Sequence, residues 1–221
     1  MRMKDYFQKI FRYKTTWVLL ALSLFSMLLS VCRVAVTGRS LFMFMIWNLF
    51  LAFVPWFAAS VVYVKDIKSK AVIVLIILFW LAFFPNAPYV LTDLIHLGKG
   101  NSAPVWYDLI LLLSYGFSGL IYGFVSLQMI EEKIKSVFRL KHVEILSAVL
   151  IYLACFGIYL GRFLRWNSWD LVSRMNLVIQ DVVDRMAFPN RHPTTWIFTF
   201  LFGTLLNMVY IVFRQDELKA K

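Results

Sequence analysis

Apolar residues run along the chain in six long stretches, and polar residues gather in the short gaps between them. The stretches extend over about Thr16 to Val36, Leu41 to Val64, Ala71 to Phe84, Val105 to Ile130, Val143 to Leu160 and Thr194 to Phe213. A bilayer core of about 30 Å requires roughly 20 mostly apolar residues per helix. The pattern therefore predicts an all-α polytopic membrane helical bundle of about six transmembrane helices, with residues 1–221 as a single integral membrane domain.

Two places depart from plain membrane helices. Ala71 to Phe84 holds 14 residues, about 21 Å of helix, before Pro85-Asn86-Ala87-Pro88 breaks it. Apolar sequence then resumes as YVLTDLIHL, in which a helix would place Tyr89, Thr92, Asp93 and His96 on one face. The plainer reading is a solvated turn after the end of a span. Against it, five of the nine residues from Tyr89 to Leu97 are aliphatic, and a broken helix at membrane depth needs protein or a water-filled cavity around its freed backbone. This segment is expected to line a polar pocket. From Asp170 to Ala187, apolar residues at Leu171, Val172, Met175, Val178, Ile179, Val182, Val183 and Met186 predict an amphipathic interfacial helix of about 27 Å. It would lie flat on the outer leaflet or fold over the bundle as a lid.

Composition supports the membrane class: 61% of residues are hydrophobic and 16% charged, against about 25% charged in a soluble domain. The net charge of +11 would suit nucleic acid, but the basic residues form clusters between apolar runs, so no nucleic-acid partner is expected. With the N-terminus inside, 15 Lys and Arg lie inside and 8 outside, which selects both termini in the cytoplasm. The outer loops are then 37–40, 85–104 and 161–193. Arg2, Lys4, Lys9, Arg12 and Lys14 before Trp17 to Cys32 imitate a signal peptide. With no A-x-A cleavage pattern following, the segment reads as a retained span. Cys32 and Cys155 read as buried thiols within spans.

Lys and Arg separate on this topology: 11 of 12 Lys lie inside and 7 of 11 Arg outside. Arg offers a planar fork that holds carboxylates or phosphates. The plainer alternative pairs the outer arginines with Asp170, Asp181 and Asp184 or with headgroups. In the fourth span, Gly119 and Gly123, with Gly116 nearby, read as a close helix-packing surface. Ser114, Ser118, Tyr122 and Ser126 form a polar row, although serine bonding back to its own helix is commoner. Asn48, Pro55, Thr199, Gly203 and Asn207 read as interhelical contacts.

Pro85-Asn86-Ala87-Pro88-Tyr89 with Thr92-Asp93 and His96-Leu97, Trp106-Tyr107-Asp108, and Leu160 through Asp170 (LGRFLRWNSWD) carry a resemblance. By these motifs and its six-span pattern the chain resembles the bacterial integral membrane proteins of domain-of-unknown-function family 1361. The resemblance implies a multi-span bacterial membrane protein, and the expected location is the bacterial cytoplasmic membrane. It implies no reaction, cofactor or catalytic residue.

Function is therefore read from the residues. On the predicted topology Asn86, Tyr89, Asp93, His96, Asp108, Arg162, Arg165, Asn167 and Asp170 all reach the outer side. Ionisable residues within a membrane mark functional sites by default. Asp93 and His96 are the candidate catalytic pair, a general base and its partner or two metal ligands; no full metal set is present in the pattern. Asn86, Tyr89, Asp108, Arg162, Arg165, Asn167 and Asp170 are the candidate substrate-binding residues. The expected partners are the lipid bilayer and an anionic envelope lipid or lipid-linked substrate. Two other readings stay open: a non-enzymatic receptor, immunity or assembly protein that docks a membrane partner through Trp166 and Trp169, and a small-solute or ion transporter built on the broken third span.

Overall fold

The computed structural model describes residues 10, 13–65, 67, 69–99 and 102–219, without the side chains of 171–172 and 215–219. The topology charges read at Arg2, Lys4, Lys9, Arg12, Lys68 and Lys221, and the helix-face assignments of Leu171 and Val172, lie outside that description. The described residues are helical and contain no strand. Six helices are long and apolar enough to cross a membrane, so the chain is a multi-pass integral membrane protein. It divides into two compact units, Met1–Arg139 and Leu140–Lys221.

In the first unit, α1 (Lys14–Thr37), α2 (Phe44–Val64), α3 (Lys70–Phe83), α4 (Asn86–Tyr89) and a 3-10 helix (Val90–His96) surround α5 (Val105–Phe138). The core lies along α5, where Leu111, Leu112, Tyr115, Leu127 and Ile130 are almost wholly buried. α1 ends where Gly38 adopts φ 66° and donates its N–H to Val34 O, the left-handed cap that glycine enters without steric cost. α5 runs eight residues past the predicted Ile130. Its last turns are rich in Glu and Lys, good helix formers, and keep Glu131 and Ile134 buried.

α3 has the expected 14 residues, and the chain turns at Phe84 and Pro85. It does not leave the unit there. Lys70–His96 continues as 27 residues of helical winding, long enough for a span. α4 and the 3-10 helix pack against α5 over the glycine surface. A Cβ at Gly119 would stand 2.6 Å from Ala87 O, and one at Gly123 would stand 3.1 Å from Ala87 Cβ. Only glycine allows this approach, which buries Ala87 and Val90 completely.

In the second unit, α6 (Val143–Phe163) and α9 (Pro193–Lys219) form an antiparallel pair. Gly203 admits the Tyr152 ring, and Tyr152 Oη lies 3.0 Å from Thr204 Oγ1. Asn207 Nδ2 donates instead to Gly203 O of its own helix, at 2.8 Å. Between the pair lie α7 (Asp170–Ser173), α8 (Met175–Ala187) and a 3-10 turn (Pro189–Arg191). The single helix expected over 170–187 is thus two, broken at Arg174 with φ −137° and ψ 34°. Cys155 is buried, whereas Cys32 lies on the exposed face of α1.

Candidate functional site

α1 presents Ser23, Ser26, Ser30 and Arg33 on one face at helical spacing, and antiparallel α5 answers with Tyr122, Ser118, Tyr115 and Asp108. The contacts are Ser23 Oγ to Tyr122 Oη at 3.0 Å, Ser26 Oγ to Ser118 Oγ at 3.5 Å and Ser30 Oγ to Tyr115 Oη at 2.9 Å. Polar groups within a bilayer find partners across helices because water is absent. The ladder is a zipper and not a proton wire. Ser26 and Ser118 both donate to carbonyls of their own helices, at 2.9 and 2.7 Å, which leaves no proton for the contact between them.

The last rung is charged. Arg33 Nε donates to Asp108 Oδ1 at 2.7 Å and Nη2 to Asp108 Oδ2 at 3.1 Å. Both residues are 1% exposed. Phe42, at the unusual φ of 72°, sets its ring 5.0 Å from the Arg33 guanidinium. Left-handed backbone at a bulky residue costs roughly 1–3 kcal/mol and collects at functional sites. Among the described residues Arg33 Nη1 is buried with no hydrogen-bond partner.

The second centre is Asp93. The 3-10 winding places residues three apart in register, so Asp93 and His96 project together. Packing of Val90 on α5 turns Asp93 toward α2, where Asn48 Nδ2 donates to its Oδ2 at 2.8 Å. Asp93 is 1% exposed. His96 Nε2 lies 3.7 Å from Asp93 Oδ1, and His96 Nδ1 lies 2.9 Å from Lys99 Nζ. An ammonium only donates. The imidazole therefore accepts at Nδ1 and carries its hydrogen on Nε2, facing the carboxylate. The His96 ring meets Phe44 edge-on at 5.7 Å, and Phe44 is 6.4 Å from Phe42. Contacts thus run from Asp108 through Arg33, Phe42, Phe44 and His96 to Asp93 and Asn48 at one end of the first unit.

Of the other candidates in this unit, Asn86 Nδ2 donates to Phe83 O at 2.9 Å, and half-buried Tyr89 accepts at its carbonyl from Thr92 Oγ1 at 2.7 Å. Asp108 faces Arg33. Two residues that the sequence reading did not place at a site, Arg33 and Asn48, complete the two centres. Arg33 has a readable signal, since it is an ionisable residue inside the apolar run Thr16 to Val36.

In the second unit, Asp170 closes its own turn. Its Oδ2 accepts from Asn167 N at 2.8 Å and Nδ2 at 3.3 Å. The backbone N–H of Asn167 is the main reason the Asp170 carboxyl sits below its ordinary value; burial opposes the shift, while the Asn167 side chain, Arg174 and the Ser173 hydroxyl add to it. Arg162 is half-buried, and Arg165 is exposed at φ 63°. Asp181 accepts from Trp166 Nε1 at 2.6 Å and from Arg185 Nη1 at 3.0 Å. His192 Nε2 lies 2.6 Å from Asp184 Oδ2. Among the described residues, no group of three or more His, Cys, Asp or Glu is placed to hold a metal ion.

Residues 47–209 match the family described as "Protein of unknown function (DUF1361)". That is most of the 221 residues, and the chain belongs to this family. Asn48, Asp93, His96 and Asp108 fall within the matched stretch, and Arg33 precedes it. No curated protein and no solved structure matches the chain.

Proposed function

We propose that the polar end of the first unit binds an anionic envelope lipid or lipid-linked substrate on the extracytoplasmic side of a bacterial cytoplasmic membrane, both termini being cytoplasmic. The observation that carries this reading is Asp93, a carboxylate 1% exposed within a span, oriented by Asn48 and faced by the Nε2–H of His96. Holding a carboxylate in that setting is costly, and such residues face substrate or ion paths by default.

The residues divide the work by chemistry. Exposed Lys99, beside half-buried His96, offers positive charge to a phosphate. Asp93 and His96 are the candidate base and its partner for a bound hydroxyl. Asn86 and Tyr89 flank this centre in sequence and complete the substrate contacts. An open apolar groove of about 430 Å³ in the same unit, lined by Phe50, Phe53, Phe57, Val61, Ile76 and Phe79 among others, suits an acyl or prenyl chain. In the second unit, Arg162 and Arg165, with Asn167 and Asp170 shaping the turn, bind anionic headgroups by their forked donors.

Native mass spectrometry of the protein extracted with its lipids tests the reading. Wild type is expected to retain anionic phospholipid or polyprenyl phosphate. The Lys99→Gln plus His96→Gln variant loses it, and Arg162→Ala plus Arg165→Ala retains less. Identical lipid adducts in all three proteins would refute it.

A further inference from the structure

The helix α8 has three distinct faces. Val178, Asp181 and Arg185 point into the unit, where Asp181 meets Trp166, and Arg185 O accepts from Trp196 Nε1 at 3.2 Å. Asn176, Gln180 and Asp184 form the next face, with exposed Leu177 at its far edge. The remaining one is an apolar stripe of Met175, Ile179, Val183 and Met186, spaced by four, four and three residues and exposed by 52, 51, 56 and 64%. A helix on the surface of a soluble protein buries its apolar face and shows water its charges. Here Asp181 and Arg185 point inward and the apolar stripe is uncovered.

The surroundings indicate what covers the stripe. The preceding span ends at Phe163 and the next begins at Pro193, which ties both ends of α8 close to the membrane boundary. Trp169, exposed near one end, is a residue type that settles at headgroup level, and Phe188, exposed near the other, adds apolar surface. Basic side chains outnumber acidic ones here, with Arg162, Arg165, Arg174, Arg185 and Arg191 against Asp170, Asp181 and Asp184. Asp170, Asp181 and Asp184 are satisfied by Asn167, by Trp166 with Arg185, and by His192. Arg165, Arg174 and Arg191 are exposed, with Arg191 stacked 4.5 Å from the Phe188 ring centroid. A second copy of this surface would bring the same positive charge and repel it.

We propose that α8 is an interfacial docking element, with its stripe in the acyl boundary of the outer leaflet and Arg165, Arg174 and Arg191 selecting anionic phospholipid there. This inference shares Arg165 with the second-unit part of the function proposed above but does not depend on Asp93 or His96, so docking of α8 and lipid binding at the Asp93 centre can each fail while the other stands.

Full-length protein in nanodiscs of phosphatidylglycerol or phosphatidylcholine provides the test. In a Cys32→Ser, Cys155→Ser background, spin labels at Ile179→Cys and Val183→Cys are expected to be several-fold more accessible to oxygen, relative to a water-soluble nickel chelate, than a label at Gln180→Cys. They are expected to sit deeper in phosphatidylglycerol than in phosphatidylcholine, and the Arg165→Gln, Arg174→Gln, Arg191→Gln variant erases that difference. Labels at 179 and 183 as open to nickel as the one at 180 would place the stripe in water, and shielding from both reagents would place a protein over it. Either result overturns the docking proposal. Equal depth in the two lipids overturns the anionic selection.

Discussion

Arg33 and Asp108 stand 75 positions apart in the chain and meet as a two-pronged ion pair, at 2.7 and 3.1 Å, between α1 and α5. Both side chains are withdrawn from the surface, so each depends on the other. Removing one partner of such a pair leaves a bare buried charge and costs about 3–5 kcal/mol, whereas replacing both by apolar groups is often close to neutral. Arg33→Met and Asp108→Leu are each expected to lower stability in detergent by that amount. The double variant is expected to recover most of the loss. A double variant as unstable as the sum of the singles would show that the two residues act separately.

The glycine surface of α5 predicts a graded series. A Cβ at Gly119 meets backbone, Ala87 O at 2.6 Å, whereas one at Gly116 first meets Leu91 Cδ1 at 3.0 Å, the end of a flexible side chain. Overpacking costs about 1–3 kcal/mol. Gly119→Ala is expected to reach the upper part of that range and Gly116→Ala the lower, read as thermal unfolding in detergent. Equal effects would mean that α4 does not approach α5 this closely.

The turn at Asp170 predicts a pH response with a defined sign. Its carboxyl is lowered in the folded protein, chiefly by the Asn167 N–H. It therefore contributes stability above the unfolded value of about 3.9. That contribution is lost as pH falls below about 4 and through the lowered folded value. Hydrogen exchange over residues 164–174 is expected to accelerate in that acid window. Asn167→Ala, which keeps the backbone donor, retains most of the response. Asn167→Pro, which removes the donor, abolishes it. Exchange with the same pH dependence in wild type and Asn167→Pro would contradict the assignment.

The α1–α5 ladder predicts modest, local effects and no long-range proton path. Tyr115→Phe removes the 2.9 Å contact to Ser30 and is expected to cost about 1 kcal/mol. Ser26→Ala, at the 3.5 Å rung, is expected to cost less, measured by the same unfolding assay. A larger loss for Ser26→Ala would reverse the hydrogen-bond assignment.

Much of the architecture was legible because apolar length reports directly on membrane crossing. The 14-residue limit of α3 followed from Pro85 and Pro88, and the packing surface at Gly119 and Gly123 followed from their small-residue spacing. The resemblance carried by the Pro85 to Tyr89 and Leu160 to Asp170 motifs agrees with the family to which the chain belongs. What the sequence did not show depends on which helices are neighbours. Arg33 looks like a boundary charge until α1 lies antiparallel to α5, and Asn48 looks like generic glue until the 3-10 winding turns Asp93 toward α2. The break at Arg174 was hidden because the apolar periodicity runs across it; the Asn167–Asp170 turn that precedes it is made by polar side chains, to which a periodicity reading is blind. The His192–Asp184 contact is not legible in the sequence because Asp184 lies on α8, across the 3-10 turn from His192.

The most direct test of the central claim is an experimental structure of the full chain in native bacterial lipid, read at the Asp93 centre. The account predicts an anionic headgroup oxygen within hydrogen-bonding distance of Lys99 Nζ or His96 Nε2, with Asp93 still held by Asn48. Those side chains enclosed by protein alone, with lipid headgroups elsewhere, would contradict it.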